Sequence, residues 1–200
     1  MTSPLKDQIT DYNLIVITGP TASGKTSLAV KLASVLGTEI ISADSRQVYR
    51  GLDIGTGKDL SEYKIDGKTV PYHLIDIVEP WENFDLFSFY KKFFEIFKRF
   101  LRNGKIPILA GGTPLYIHSV IANYKLLEVP LNNKLREELS SYDMKKLEDY
   151  LKSLQPKIHN ITDLEDRERL VRAIEIADFR LKNPDAKSAG EDLEINPLII

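Results

Sequence analysis

Apolar positions along the chain follow two rhythms, and the switch near residue 122 divides it into an α/β part and a helical part. Asn13-Leu-Ile-Val-Ile-Thr18 is a short continuous apolar run followed by glycine, the pattern of a strand buried on both faces. From Thr26 to Leu36, the residues Leu28, Ala29, Leu32, Val35 and Leu36 recur at helical spacing, and Gly37 supplies the stop. Thr38–Ala43 reads as a second strand. Strand, helix and strand in so few residues require a crossover, which predicts two parallel strands of one sheet. Gly51–Lys68, with four glycines, reads as loop, and His73–Val78 as a strand stopped by Pro80. Asp85–Asn103 predicts an amphipathic helix with Leu86, Phe89, Tyr90, Phe93, Phe97, Phe100 and Leu101 on one broad face. An aromatic stripe at that spacing reads as core rather than as a stacking surface for bases. Ile106–Ala110 is a further buried strand.

Beyond residue 122, Asn132–Ser140, Met144–Leu154 and Asp163–Lys182 predict three helices separated by polar or proline-containing turns. Asn183–Asp192 reads as a linker, and Glu194–Ile200 as the opening of a strand. The expected organisation is a leader over 1–12, an α/β core over 13–122, a helical insert over 123–183, and a linker with a returning core strand over 184–200.

Composition narrows the chemistry. At 200 residues, 42% hydrophobic and 28% charged, the chain can bury a real core and is neither disordered nor fibrous. The absence of cysteine excludes a disulfide scaffold, a thiolate nucleophile and any cysteine-ligated zinc or iron–sulfur site. A net charge of −2 argues against a polybasic coat, although a local basic patch suffices for nucleic acid. Met1–Tyr12 carries Asp7 and Asp11 and lacks a signal peptide's apolar stretch, and no apolar run approaches a membrane span, so a cytoplasmic protein is expected. His73, His118 and His159 show no metal-ligand spacing and read as structural.

Three places carry candidate chemistry, each directly after an expected strand. Gly19-Pro20-Thr21-Ala22-Ser23-Gly24-Lys25-Thr26 fits G-x-x-x-x-G-K-[ST] in full, between a strand and a helix as that motif requires. Its glycines let backbone N–H groups and the helix N-terminus face a phosphate, Lys25 adds a positive charge, and the Thr26 hydroxyl is suited to Mg²⁺. Asp44, with Ser45, ends the second strand. It can hold magnesium or accept a proton, or it can simply cap the turn that follows, and the residues leave both readings open. Gly111-Gly112-Thr113 follows the Ile106–Ala110 strand and would allow close backbone approach to a ligand beside the Thr113 hydroxyl.

The order GPTASGKT (19–26), ADSRQVYRGLDIGTGK (43–58), VPYHLIDI (70–77), GKIPILAGGTPLYI (104–117) and DRERLVRAIEI (166–176) resembles the tRNA dimethylallyltransferases, also called tRNA isopentenyltransferases. The resemblance runs from about residue 13 to residue 182 and returns weakly in Asn196–Ile200. It implies a P-loop NTPase-like, nucleotide-kinase-like α/β fold with a helical insert. It also implies transfer of a dimethylallyl group from dimethylallyl diphosphate to N6 of an adenosine beside the anticodon. On this chain Gly19–Thr26 would hold the diphosphate, with Lys25 acting in catalysis and Mg²⁺ at Thr26. Asp44 would take the N6 proton and, with Ser45, Arg46 and Gln47, touch the flipped nucleotide, and Thr113 would stand at the reaction centre. Arg136, Glu168, Arg169, Leu170, Val171 and Arg172 would contact the tRNA anticodon stem-loop. A monomer, with no membrane partner, is expected.

Residues 163–182 mix Arg167, Arg169, Arg172, Arg180 and Lys182 with Glu165, Asp166, Glu168, Glu175 and Asp178, so an ion-paired solvated face is the rival to RNA contact there. Tyr72 stands where the family usually has histidine, Pro114 replaces a usual glycine, and family members usually run on past this length, with a diphosphate-binding arginine in the further part. The other readings are transfer to AMP, ADP or ATP, a small-molecule phosphate-loop kinase, and a non-catalytic RNA- or diphosphate-binding relative.

Overall fold

The computed structural model describes residues 11–20, 22–154, 166–187 and 193–200. They form two compact units, Met1–Leu126 with Ala189–Ile200, and Leu127–Ser188.

The first unit is built on a sheet of β1 (Leu14–Thr18), β2 (Ile40–Ser42), β5 (Tyr72–His73), β6 (Ile108–Gly111) and β7 (Pro197–Ile199), in the order β5-β2-β6-β1-β7. Every pair is parallel. β1 and β2 are not neighbours: β6 lies between them, with Ile15 opposite Ile108 on one side and Ile40 opposite Ile108 on the other. Successive strand residues point to opposite faces, so an unbroken apolar run fills two cores. Leu14, Val16, Ile41 and Leu109 pack on one side with helix α2 (Leu86–Arg102) and helix α3 (Pro114–Ile121). Ile15, Ile17, Ile40 and Ile108 pack on the other with helix α1 (Lys25–Leu36). This is the α/β, P-loop NTPase-like architecture, with helices on both faces of a parallel sheet.

Several elements differ from the sequence pattern. In α1 the buried residues are Ala29, Val30, Ala33 and Leu36, while Leu28 and Val35 are exposed at 45% and 56%. The small alanines turn inward and let the helix lie close on the sheet. The strand expected over 73–78 ends at His73, because Leu74 (φ 63°) and Asp76 (φ 53°) are left-handed. Leu74 and Ile75 are buried without being paired, so burial rather than extended structure produced their apolar pattern. The glycine-rich stretch 51–68 contains a 3₁₀ turn (Leu60–Tyr63) and a hairpin of β3 (Lys64–Ile65) and β4 (Lys68–Thr69). Asp66 (φ 49°) and Gly67 (φ 74°) form its turn, the positive-φ pair that suits a two-residue hairpin.

Asp85 caps α2 by accepting from Ser88 N–H at 2.8 Å. Its aromatic stripe is core: Phe89, Tyr90, Phe93, Phe94, Phe97 and Phe100 are buried, whereas Leu101 is exposed and Phe94 takes the inward place. Helix α3 is an element that the pattern did not separate. Pro114 occupies its first turn, where its fixed φ and missing N–H suit the helix start, so this departure from the family is accommodated.

In the second unit, α4 (Asn133–Ser140), α5 (Met144–Leu154) and α6 (Arg167–Lys182) bury Leu135, Leu139, Leu147, Leu151, Leu170, Val171, Ile174 and Ala177 together. Arg167 donates to the carbonyls of Leu139, Ser140 and Tyr142, closing the C-terminal end of α4. Glu175 has a fully buried side chain. One of its oxygens accepts from Asn132 N–H (2.9 Å) and Arg136 Nε (2.8 Å), and the other from Arg136 (3.0 Å) and Arg172 (3.1 Å). Residues 163–165 of the expected third helix, the leader over 1–10 and most of the linker after residue 187 lie outside the described residues.

Candidate active site

The carboxyl ends of β2, β6 and β1 are neighbours in the sheet, so the three segments that leave them meet along one edge, where open parallel sheets take their ligands. After β1 comes the phosphate loop. Gly24 (φ 81°) delivers the chain into α1 in a left-handed conformation that only glycine adopts without strain. Ala22 takes φ 62°, a backbone cost that a phosphate-wrapping loop accounts for. The first helical bond runs from Leu28 N–H to the Gly24 carbonyl, and no side chain caps the N-terminus. The N–H groups of the first turn therefore face outward with no acidic residue beside them, the electrostatic condition for holding an anion. Lys25 Nζ donates to the Pro20 carbonyl, which sets the ammonium across the loop. Thr26 follows, half-buried. Thr21 lies outside the described residues.

Between β2 and β6 the backbones touch. A Cβ added to Gly111 would stand 2.2 Å from the Ala43 carbonyl oxygen, so only glycine fits there. Thr113 N–H donates to that same carbonyl (3.1 Å), and Thr113 Oγ1 accepts from Ser45 N–H (2.9 Å). The Ser45 and Thr113 hydroxyls are 3.3 Å apart. Asp44 and Thr113 are thus fixed to one frame. Asp44 Oδ1 accepts from Arg46 N–H (2.9 Å) and Gln47 N–H (3.3 Å), so the capping reading of this residue is correct. Its second oxygen has no partner among the described residues, which leaves the proton-accepting reading available to the same side chain.

Other candidates divide by what already holds them. The Arg46 side chain is exposed and unpartnered among the described residues. Gln47 uses its amide on Ser42 Oγ and on the carbonyls of Gly57 and Thr56, which makes it a strut of this edge. Tyr116 is buried and stacks on Phe89 with ring centroids 4.1 Å apart. Burial first, and the neighbouring Tyr49, Asp85 and Asp44 after it, push its hydroxyl up to about 12, so it stays protonated. On the insert, Leu170 and Val171 are core residues whose side chains cannot reach RNA. Arg136 is bound to Glu175 and Glu168, and Arg172 to Glu175 and the Val129 carbonyl. Glu168 and Arg169 are exposed. The ion-paired face is therefore realised at Arg136 and Arg172, while Arg167, exposed, is held on the carbonyls of Leu139, Ser140 and Tyr142, and Arg169 is exposed without a side-chain partner among the described residues.

One residue that sequence reasoning passed over stands out. Lys58, inside the GTGK stretch, has a side chain only 1% exposed and bonds Asp53, Asp76 and the Tyr49 carbonyl. Its signal in the sequence was a lone lysine between aspartates in a glycine-rich loop, which reads as solvated.

The family model described as IPP transferase matches residues 47–198, and that described as isopentenyl transferase matches residues 12–72. The chain belongs to the IPP transferase family. It is 52% identical over 187 residues to tRNA dimethylallyltransferase 1 of Syntrophus aciditrophicus, covering 94% of this chain and 61% of that protein. To tRNA dimethylallyltransferase 1 of Parabacteroides distasonis it is 50% identical over 190 residues, again 94% of this chain and 61% of the relative. The chain thus spans about 61% of the length of these IPP transferases. Among solved structures it is similar to a eukaryotic dimethylallyltransferase acting on tRNA, with a TM-score of 0.70, 26% identity, and coverage of 94% of this chain and 47% of that one. It is also similar to the tRNA isopentenylpyrophosphate transferase of Bacillus halodurans, with a TM-score of 0.53, 38% identity, and coverage of 83% and 55%. Among the described residues no helix is long and apolar enough to cross a membrane.

Proposed function

We propose that this chain is the catalytic core of a tRNA dimethylallyltransferase: dimethylallyl diphosphate is the donor, and N6 of an adenosine beside the anticodon is the acceptor. The observation that carries the reading is the meeting of an uncapped phosphate loop and the Asp44–Thr113 frame on adjacent strand ends. The names of the relatives favour tRNA over a free nucleotide as acceptor. A cytoplasmic, monomeric enzyme fits a substrate of this kind.

In the proposed step the bond between the allylic carbon and the diphosphate oxygen breaks, and its electron pair leaves with the diphosphate. The adenine N6 forms the new bond to that carbon and its proton passes to Asp44. The first-turn N–H groups of α1 and the Lys25 ammonium meet the negative charge that grows on the leaving group. The N6 lone pair is delocalised into the ring, so a carboxylate oxygen free to take the proton raises its nucleophilicity as attack proceeds. Thr113, held through Ser45, fixes the carboxylate's turn against β6. A base stacked in RNA cannot enter such a site, so the acceptor nucleotide is extruded. Mg²⁺ fits the donor set: the Thr26 hydroxyl directly after the phosphate loop is a hard oxygen donor of the kind that holds magnesium together with substrate phosphates and water. It would sit on Thr26 and supply charge neutralisation to the diphosphate.

The test is incubation with Mg²⁺, dimethylallyl diphosphate and either an anticodon stem-loop or AMP, followed by mass spectrometry of the nucleosides. An added dimethylallyl unit on the stem-loop is the expected result. Addition to AMP alone would transfer the protein to the free-nucleotide reading, and no addition to either would refute catalysis by this chain.

A further inference from the structure

Lys58 is among the most buried cations described, and its surroundings are specific. Its ammonium has three N–H donors and three acceptors: the Tyr49 carbonyl at 3.0 Å, Asp53 Oδ1 at 2.7 Å, and Asp76 Oδ1. Burial by itself would lower its pKa, but the bonds to Asp53 and Asp76 and their charges outweigh it, so the group is held above its ordinary value and stays charged.

Each partner leads back to the turn that carries Asp44. Asp76, in its left-handed conformation, donates its N–H to the Gln47 carbonyl at 3.0 Å, and Ile77 donates to the Val48 carbonyl at 2.8 Å. Gln47 in turn donates its backbone N–H to Asp44 Oδ1 and its amide to the Gly57 carbonyl next to Lys58. Tyr49 closes the same turn with its N–H on the Arg46 carbonyl. Asp53 belongs to the Gly51–Gly57 loop, whose own bonds are from Thr56 Oγ1 to the carbonyls of Leu52 and Asp53. No helix or paired strand holds residues 44–58; residues 47–50 are bridged to 76–78 by backbone bonds at Tyr49 and Val78, and the ammonium adds the tie that brings Asp53 and its loop onto that bridge.

We propose that Lys58 is a positioning residue for the acceptor side of the site, fixing the Asp44 carboxylate by anchoring residues 46–49, 53 and 76 to one charge. It touches no substrate and acts through Asp76, Gln47 and the Tyr49 carbonyl. The functional consequence rests on the reading given under Proposed function; the structural one does not.

Three forms of the protein test it: wild type, Lys58→Met, and Lys58→Cys alkylated with 2-bromoethylamine in denaturant and refolded. The chain has no cysteine of its own, so the last treatment restores an ammonium of nearly lysine length at one place. Lys58→Met is expected to speed amide hydrogen exchange at Arg46, Gln47 and Val48 by roughly tenfold or more while leaving β1 and β6 unchanged, as local opening does. The single-turnover rate on the stem-loop should fall by on the order of a hundredfold, the scale of a small misplacement of a reacting group, with affinity for dimethylallyl diphosphate held within about twofold. Aminoethylation should return both readings towards wild type. Unchanged exchange at residues 46–48, an equal rise in β1 and β6, loss of diphosphate affinity in parallel with rate, or no recovery on aminoethylation would each overturn the proposal. Should Lys58→Met not fold, Asp53→Ala, at a carboxylate 67% exposed, removes one of the three ties and should show the same pattern at a smaller amplitude. A wild-type chain that transfers nothing would overturn the functional reading alone, because the exchange measurement decides the role of Lys58 without turnover.

Discussion

Replacing Glu175 with glutamine tests the balance of forces that holds the helical insert together. The carboxylate is wholly inside, yet it accepts four hydrogen bonds from Asn132 N–H, Arg136 and Arg172. Burial alone would raise its pKa, but the bonds from Arg136, Asn132 and Arg172 together more than offset burial and hold it below the ordinary value of 4.5. Glutamine keeps the shape, removes the charge, and turns one acceptor into an NH₂ group that faces a guanidinium. Arg172 then loses its carboxylate partner while 29% exposed, and Arg136, 28% exposed, keeps only the exposed Glu168. Breaking one side of a buried pair costs about 3–5 kcal/mol, a large share of what the small apolar cluster of the insert's described residues can set against it.

The assay is urea unfolding followed by amide exchange in α4, α5 and α6, with β1 and β6 as internal reference. The sign of the pH effect follows from a depressed folded-state value: the stabilisation is complete above 4.5 and disappears as pH falls through the lower folded value. The gap between wild type and Glu175→Gln should therefore be full at neutral pH and shrink in acid. A gap below about 1 kcal/mol at neutral pH, the level of an exposed pair, would refute the reasoning, as would a gap that does not change with pH.

Other outcomes follow from the same structure. Asp44→Asn should lower the rate of transfer by roughly 10²–10⁴-fold, the usual contribution of a general base, while affinity for dimethylallyl diphosphate measured by calorimetry stays near wild type. Gly111→Ala brings a methyl to 2.2 Å from the Ala43 carbonyl, so β2 and β6 must separate. A loss of about 1–3 kcal/mol or more by thermal melting, the cost of overpacking, is expected with a loss of activity, and an unchanged melt would show that the strands yield freely. Phe97→Ala empties a fully buried position among Phe93, Phe94 and the sheet and should cost about 3–5 kcal/mol in urea titration.

The parallel core and the placing of its chemistry were legible because both depend on short-range pattern. Leu14–Thr18 and Ile108–Gly111 are continuous apolar runs, and the phosphate loop announces itself by spacing. The partners of those strands were not legible: nothing local in Ile40–Ser42 says that β6 will lie beside it. At Leu74 and Ile75 the alphabet misled, since an apolar residue is buried equally well in a left-handed turn. Asp66-Gly67 carried a hairpin signal that the surrounding glycines obscured. At the site, Asp44 was readable as a carboxylate at a strand end, but that one oxygen caps and the other does not is a fact of geometry. The assignment of Arg136 and Arg172 depended on Glu175, a single acidic residue within an otherwise apolar stretch of α6. It could not be told from a solvated glutamate until the helix was seen to bury it.

The strand order also sets a schedule for assembly. β1 spans Leu14–Thr18, yet its two neighbours are β6, some 90 residues later, and β7 at Pro197–Ile199. On a ribosome adding residues one by one, Leu-Ile-Val-Ile must wait without a partner while the roughly 90 residues up to β6 are added, a β-prone apolar segment of the kind that aggregates when left open. Parallel pairing across such separations is slow, because chain closure must come before any contact rewards it. Asn13, just before β1, helps to end the wait: it donates its N–H to the Asn196 carbonyl and its amide to the Glu194 carbonyl and accepts the Asn196 N–H on its side-chain oxygen, latching β7 onto β1 when it arrives. Yield of soluble protein should therefore respond to chaperone supply and to temperature during expression more than the stability of the finished fold would suggest.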